Sequence, residues 1–211
     1  MGGVSSTLWA IQDYKAWKQV KGGFPLTPSV WAWTYYVQWK KYSKTALAHH
    51  RRLLASHVDR RQYLFELPKR GGPKPLEIKW PLPQRQLTQT ITKPILEQLE
   101  GYFHSVAASN NIAIGPSIRE MHTGWLCMLH DRRCGSIHVN MHPRDALLAI
   151  EAGWATPFAL AICGTEPGPE YQIGISCVLV YAPRDGEDLA VVKRLVDAGV
   201  RFALNQLPEL S

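Results

Sequence analysis

The chain of 211 residues carries 24 Lys and Arg against 17 Asp and Glu, and 45% of its residues are apolar. This length and composition allow one well-cored domain with an appendage, and they exclude collagen, low-complexity disorder and small disulfide scaffolds. The four cysteines form no C-x-x-C pair, and we expect that no secretory leader precedes them. The sequence therefore predicts reduced thiols in an intracellular protein that is cytoplasmic or membrane-associated.

Basic and aromatic residues are concentrated in the first half of the chain. Residues 1–100 hold 16 of the basic residues, only 6 of the acidic ones, and six of the eight tryptophans. The uncharged, Trp- and Tyr-rich run over 24–39 is shorter than the roughly twenty residues that span a bilayer, but aromatic side chains next to lysines suit an anionic headgroup region. This pattern predicts a segment over 1–42 that makes peripheral membrane contact, followed by a domain over 43–211.

Three other interpretations of this segment stay open. Its aromatic residues could pack on the domain as an N-terminal arm. The start Met1–Ser6 fits the M-G-x-x-x-[ST] pattern for N-myristoylation. Basic and aromatic residues also bind nucleic acids, but no recognition motif is present, so we expect no nucleic-acid partner.

Hydrophobic periodicity and capping residues predict the elements of the remaining chain. In chain order these are a helix from Ser43 to about Leu67, an irregular connector over 68–83, a helix from Thr92 or Lys93 to Asn110, strands at Met121–His130 and Ile137–Met141, a helix at Pro143–Ala152 closed by Gly153, a strand at Ile175–Tyr181 and a helix at Asp185–Leu204. The β-β-α-β-α order of the C-terminal core predicts an α+β fold. We expect a small mixed or antiparallel sheet with helices covering one face, and a Trp-rich helical N-terminal segment.

Half of the eight histidines fall within 21 residues, at His122, His130, His138 and His142. A hairpin turn over 131–135 with an even register would place His130 and His138 on one face of the sheet. On the second strand, His138, Asn140 and His142 would share a face, because residues two apart in a strand point the same way.

Three interpretations of this histidine cluster compete. His130, Cys134, His138 and His142 recur at intervals of four and could bind a metal ion. The histidines could also be polar surface residues without a chemical task. General acid–base catalysis is the third interpretation, because histidine titrates near neutral pH.

Two further stretches are candidate parts of a site. Arg184 follows a predicted buried strand and precedes a helix start, where it would form a pocket for an enolate or carboxylate, or else bind Asp185, Glu187 or a carbonyl. Trp154 follows Gly153 and would be a core residue or the wall of an apolar pocket. The sequence contains no nucleophile elbow, P-loop, dinucleotide fingerprint or H-E-x-x-H motif, so we expect no nucleotide or flavin.

Several short motifs, taken in order, resemble the fungal luciferase family and its luciferase-domain relatives. They are His130-Asp131, Ile137-His138-Val139, Gly153-Trp154, Leu160-Ala161 and Tyr181-Ala182-Pro183-Arg184. The resemblance implies an oxygenase that uses O2 without a metal or organic cofactor. The family's luminous members oxidise 3-hydroxyhispidin, a styryl-pyrone, through a strained peroxide that loses CO2, and they carry a hydrophobic N-terminal anchor. One departure is that Phe158-Ala159-Leu160 stands where the family commonly shows His-Pro-Leu, which leaves light emission open.

The resulting hypothesis is an oxidoreductase that oxidises a hydroxypyrone resembling 3-hydroxyhispidin, with O2 as co-substrate. His138 or His130 would be the catalytic base, and Arg184 would stabilise the enolate and then the peroxide oxygen. The residues expected to contact or enclose the substrate are Trp154, Tyr181, His142, His122, Trp125 and Phe158. The alternatives are a non-catalytic homologue that binds a small molecule or lipid, and a metal-dependent enzyme that uses the His/Cys cluster.

Overall fold

The computed structural model describes residues 3–20, 26–57, 61–80, 84–112, 127–129, 134–163 and 174–205. Within these ranges the chain forms seven helices and four strands. The helices are α1 (Gly3–Lys18), α2 (Pro28–Tyr42), α3 (Lys44–Ala55), α4 (Lys93–Asn110), α5 (Pro143–Glu151), α6 (Ala159–Cys163) and α7 (Gly186–Ala203). The strands are β1 (Cys127–Leu129), β2 (Ile137–Asn140), β3 (Ala155–Pro157) and β4 (Cys177–Val180).

Local capping explains where several helices begin and end. The Asp185 side chain accepts a hydrogen bond from the backbone N–H of Asp188 and starts α7. Asn111 adopts a left-handed conformation, with φ of 53°, at the end of α4. Gly153 follows α5 with φ of 83°, which glycine adopts without steric cost. The predicted positions of α4, α5 and α7 are confirmed.

The four strands form one antiparallel sheet in the order β1-β2-β4-β3. Side chains alternate between its two faces. On one face, which we call the α7 face, Val139 of β2 lies opposite Val178 of β4. On the other, the His138 face, His138 and Thr156 both pair with Leu179, which lies between them. The predicted α+β class with a small sheet is confirmed.

Helices cover both faces of the sheet, which corrects the prediction that they cover one. Helices α4, α5 and α7 enclose the core of the α7 face, which includes the completely buried Leu99, Val192 and Leu195. On the His138 face, α6 packs against α2, and Val37 joins Phe158 in a second buried cluster. The reason is that β4 is apolar on both faces, so each face needs a covering layer. The intervening β3 and α6 are too short for a periodic pattern to predict.

Helix α3 ends at Ala55 and does not continue to Leu67 as predicted. The backbone N–H groups of Tyr63 and Leu64 both donate to the carboxylate of buried Asp145, at distances of 3.0–3.2 Å. Amides that donate to a distant side chain are not available for a helical ladder. Helix α3 does begin after Ser43, whose hydroxyl caps it as predicted.

The two N-terminal helices are joined to the domain through Asp13. Its buried carboxylate accepts hydrogen bonds from Trp31, Tyr35, Lys79 and Trp80. Burial alone would raise the pKa of Asp13, but these donors, Lys79 foremost, lower it to about 2. The N-terminal aromatic residues therefore pack as an arm, which was one of the open interpretations. In the part of the chain that the structure describes, no helix has the length and apolar character needed to cross a bilayer.

The contact between α7 and β2 leaves no room for a side chain at Gly199. A Cβ atom there would lie 2.6 Å from Val139 Cγ1 and 2.8 Å from the carbonyl oxygen of Asn140. We expect Gly199→Ala to reduce the free energy of unfolding by about 2 kcal/mol or more, because α7 would have to move away from the sheet. Urea denaturation would measure this change.

The matched control is Gly101→Ala in α4, where an added Cβ meets no atom within 4 Å. Alanine should raise the stability there by about 0.5–1 kcal/mol, because it favours the helix. Equal effects of the two substitutions would contradict the close contact at Gly199.

Candidate functional site

A cavity of about 790 Å³ opens on the His138 face, at the edge formed by β3. Its floor comes from β3 and from Tyr181, which directly follows β4. One wall is the cavity-facing side of α3, and the other is the chain from Arg70 to Lys74. The lining residues are Lys44, Leu47, Ala48, Arg51, Arg70, Gly72, Pro73, Lys74, Ile150, Gly153, Ala155, Thr156, Pro157, Ile162 and Tyr181. A cavity of this size holds a small organic molecule.

Hydroxyl groups lie at the floor of this cavity. Tyr181 is almost completely buried, and its hydroxyl donates to Glu77 Oε1 over 3.3 Å. Burial raises the pKa of Tyr181, and the negative charge of Glu77 raises it further. The Glu77 carboxylate also pairs with Lys74 over 3.3 Å. Together with Thr156, Tyr181 provides the hydroxyl groups of a floor whose other side chains, Ala155 and Pro157, are apolar.

Two buried glutamines fix the connector against the sheet. Gln84 Oε1 accepts the backbone N–H of Ala159 over 2.8 Å, and Gln86 Oε1 accepts that of Ala182 over 2.9 Å. Both glutamines are nearly inaccessible to solvent. Side-chain amides thus satisfy backbone groups beyond β3 and β4, and they hold the neighbouring segment with Glu77 against Tyr181, beneath the cavity floor.

His138 lies on the same sheet face as the cavity floor but does not line the cavity. It is 6% exposed, and its ring centroid lies 4.4 Å from that of Phe158. Leu179 separates it from Thr156 in the sheet. Two strand spacings of about 4.8 Å therefore separate the His138 backbone from the Thr156 backbone.

His142 does not share a face with His138, which corrects the predicted alignment of these residues. Strand β2 ends at Asn140, and His142 caps α5 by accepting the backbone N–H of Arg144 over 3.3 Å. Its ring lies 5.7 Å from that of Phe202 in α7, hence on the opposite side of the sheet. The contact of His142 with substrate stays a prediction. The position of His142 beside α7 does not favour this contact, because the cavity opens on the other face of the sheet.

The separation of His138 from His142 also divides the predicted metal-binding set. Cys134 is buried, with its sulfur 3.3 Å from the Ser136 hydroxyl. Among the described residues, no three His, Cys, Asp or Glu side chains are close enough together to hold a metal ion.

Arg184 binds an acidic residue beside the predicted pocket. Its Nε and Nη2 donate to the Asp188 carboxylate over 2.6 and 3.0 Å, and its Nη1 donates to the Gly71 carbonyl over 2.9 Å. The hydrogen bond to Asp188 raises the pKa of Arg184. This arrangement matches the structural alternative, in which Arg184 binds an acid or a carbonyl, although the acid is Asp188 instead of Asp185 or Glu187.

Trp154 is a buried core residue whose indole N–H donates to the Pro68 carbonyl over 2.6 Å.

Three other predicted site residues, His122, Trp125 and His130, lie outside the described residues. Strands β1 and β2 pair in the predicted even register, in which even-numbered residues lie opposite each other: Met128 lies opposite His138. The convergence of His130, His138 and Arg184 stays a prediction.

Comparison with known proteins identifies the region that builds the cavity floor. Residues 124–199 match the family model described as Luciferase domain. The resemblance predicted from the sequence is confirmed. Three proteins named Luciferase, from Armillaria ostoyae, Armillaria gallica and Armillaria mellea, are each 22% identical to this chain over 178 residues. The alignment covers 70% of this chain and 65% of each relative. No solved structure matches the chain.

The match lies in the part of the chain that forms the sheet. The matched region contains β2, β3, β4 and most of α7. Phe158, which stands where the family commonly shows histidine, is the residue that contacts the His138 ring. The predicted departure from the family pattern therefore lies in direct contact with the predicted base.

Sequence reasoning missed residues of the cavity that lie outside the luciferase-like motifs. Arg70 stacks over the Trp154 and Tyr181 rings, with its guanidinium carbon 5.7 and 5.6 Å from their centroids. Thr156 lines the floor, and Glu77, outside the lining, accepts the hydrogen bond of the Tyr181 hydroxyl. Arg70 lies in the irregular connector, where no periodic pattern marks a side chain as buried. The only local signal was the Gly71-Gly72 pair beside it, which indicates a turn.

Proposed function

We propose that this protein is a luciferase-like oxygenase that oxidises a hydroxypyrone-type aromatic compound with O2 and releases CO2. The observation that carries the proposal is the cavity floor, which is formed by β3 and Tyr181 within the region that matches the Luciferase domain. Its volume, and a floor that combines apolar side chains with two hydroxyl groups, suit a flat ring that carries oxygen substituents.

Such a reaction needs no metal or organic cofactor. Removal of a proton converts the hydroxypyrone into an electron-rich enolate, which reduces O2 and forms a carbon–oxygen bond. The peroxide then closes on the lactone carbonyl, and the strained ring breaks with loss of CO2. O2 is the oxidant and the substrate is the reductant, so the electrons balance without a third partner.

In this proposal the chain's own residues hold the substrate and move the proton. Tyr181 and Thr156 bind the oxygen substituents at the cavity floor, and the apolar lining excludes bulk water. His138 is the base: it lies on the same sheet face but outside the cavity lining, so the proton passes to it through a bridging water molecule. Arg184, which lies next to the lining residue Gly72, stabilises the peroxide oxygen that forms next, for which it exchanges its contact with the Gly71 carbonyl.

We expect the purified protein to consume O2 with 3-hydroxyhispidin in the presence of EDTA. His138→Ala should lower the turnover rate by about a hundredfold or more, because it removes the proton acceptor. His104→Ala, on the exposed side of α4, is the matched control and should leave turnover unchanged. An oxygen electrode and a luminometer would follow the reaction together. Unchanged turnover in His138→Ala would remove this residue from the mechanism.

A second candidate function is a non-catalytic homologue that binds a small molecule or lipid. The contact of Phe158 with the His138 ring favours it, since an apolar residue replaces the family's histidine at this point. Recovery of an apolar ligand with the purified protein, together with no O2 uptake on any pyrone, would decide for this candidate.

We further propose that the N-terminal arm makes peripheral contact with an anionic membrane. Trp9 of α1 is 54% exposed and Trp39 of α2 is 65% exposed, and both have large apolar surfaces. Lys15 and Lys18 end α1 and suit anionic headgroups. The arm thus offers both an apolar and an electrostatic component of interfacial binding.

We expect the protein to sediment with phosphatidylserine-containing vesicles, and less so at high salt. Replacing Trp9 and Trp39 by serine should lower the bound fraction about fivefold. Phe65→Ser is the matched control, because Phe65 is 62% exposed outside the arm. These substitutions are sharper than deletion of residues 1–42, which would also remove buried Val37 from the core. Equal losses in the two variants, or no binding by the unaltered protein, would contradict the proposal.

A further inference from the structure

Arg70 occupies an unusual position at the edge of the cavity. Its guanidinium lies over the rings of Trp154 and Tyr181, and its Nη1 donates to the neutral side chain of Gln89 over 3.0 Å. The backbone N–H of Arg70 donates to the Ala152 carbonyl over 2.9 Å, which fixes the residue beside α5. The side chain is thus held firmly by groups that carry no negative charge.

Arg70 forms no ion pair within the part of the chain that the structure describes; the nearby carboxylate of Asp188 acts on its charge from a distance but is bound by Arg184. The Nε and Nη2 of Arg70 are buried and find no hydrogen-bond acceptor there. Arg184 is the internal contrast, since the same two nitrogen atoms of its side chain donate to Asp188. Burying a guanidinium without an acceptor is costly, and a bound anion would remove that cost.

The other charges that line the cavity have the same sign. Lys44 and Arg51 project from α3, and Lys74 lies on the opposite wall. No Asp or Glu is among the described residues that line the cavity, and Glu77 beneath the floor is paired with Lys74. Walls of one sign focus the electrostatic potential and attract ligands of opposite charge.

The rest of the lining is apolar and includes Leu47, Ile150, Pro157 and Ile162. These side chains favour a flat hydrocarbon or heteroaromatic ring. A planar guanidinium pairs in two-point fashion with a carboxylate, and one of its N–H groups donates equally well to the single oxygen of an enolate. We infer that the cavity binds a planar organic anion and that Arg70 pairs with its acidic oxygen.

This inference deepens the proposed function. The choice of a hydroxypyrone as ligand rests on the proposed function, whereas the anion site itself does not. Two pairs of probes separate the two proposals. The first is 4-hydroxy-6-methyl-2-pyrone, a vinylogous acid that ionises near neutral pH, with its 4-methoxy ether, which does not ionise. The second is cinnamate with methyl cinnamate. Calorimetric titration under anaerobic conditions measures binding without turnover.

We expect each anion to bind the unaltered protein at least about tenfold more tightly than its neutral partner. Arg70→Met should abolish this preference and leave the affinity for the neutral probes within about twofold. Arg52→Met is the matched control, because Arg52 lies on α3 outside the cavity lining and should change neither affinity.

Each alternative outcome has a definite meaning. Equal affinity for an anion and its neutral partner in the unaltered protein would overturn the inference, and this comparison needs no variant to fold. Equal loss of all four probes in Arg70→Met would show that Arg70 only supports the fold, and would overturn its assigned role. Binding of cinnamate without binding of the hydroxypyrone would support the anion site and contradict the proposed substrate. Binding of the hydroxypyrone without O2 uptake from 3-hydroxyhispidin would contradict the proposed oxygenase alone.

Discussion

Burial of β4 on both faces is the constraint on which the rest of the architecture depends. Val178, Leu179 and Val180 are completely inaccessible to solvent, so each face of the sheet requires its own layer. Helix α7 supplies one layer and approaches β2 closely at Gly199. The layer on the His138 face is assembled from α2, α6 and the connector. This second layer does not close over β3 and Tyr181, and the cavity occupies the gap.

Side-chain hydrogen bonds replace regular structure around this gap. Gln84 and Gln86 satisfy backbone amides beyond the strands, and Asp13 joins the arm to the connector. An irregular segment held in this way can place a polar side chain such as Glu77 against the buried Tyr181 hydroxyl. The same arrangement explains why the arm belongs to the folded core and also exposes aromatic residues.

The sequence predicted the elements whose signals are local. Helices α4, α5 and α7 combine apolar periodicity with capping residues at their own ends. Gly153 ends α5 because its own backbone adopts a positive φ, a property that the sequence shows locally. The prediction of α3 was too long because the acceptor of the Tyr63 and Leu64 amides is Asp145, more than 80 residues away. Strand β3 and helix α6 contain too few residues for any periodicity.

The candidate site was predictable only in part, because some of its contacts join residues that are far apart in the sequence. Tyr181 and Trp154 follow from the luciferase-like motifs, but Arg70 meets them from a distant segment with no pattern of its own. His142 was misplaced because strand alternation was extended past Asn140, where β2 ends and a helix cap begins. The two arginines near Tyr181 thus differ: Arg184 forms an ion pair with Asp188, whereas Arg70 forms no ion pair among the residues described.

The most direct test of the cavity as substrate site is an anaerobic crystal structure with 4-hydroxy-6-methyl-2-pyrone. The account predicts the ring between α3 and the floor formed by Thr156 and Tyr181, with its ionised oxygen about 3 Å from the Arg70 guanidinium. A pyrone bound elsewhere on the protein, or bound in the cavity with its ionised oxygen turned away from Arg70, would contradict the account.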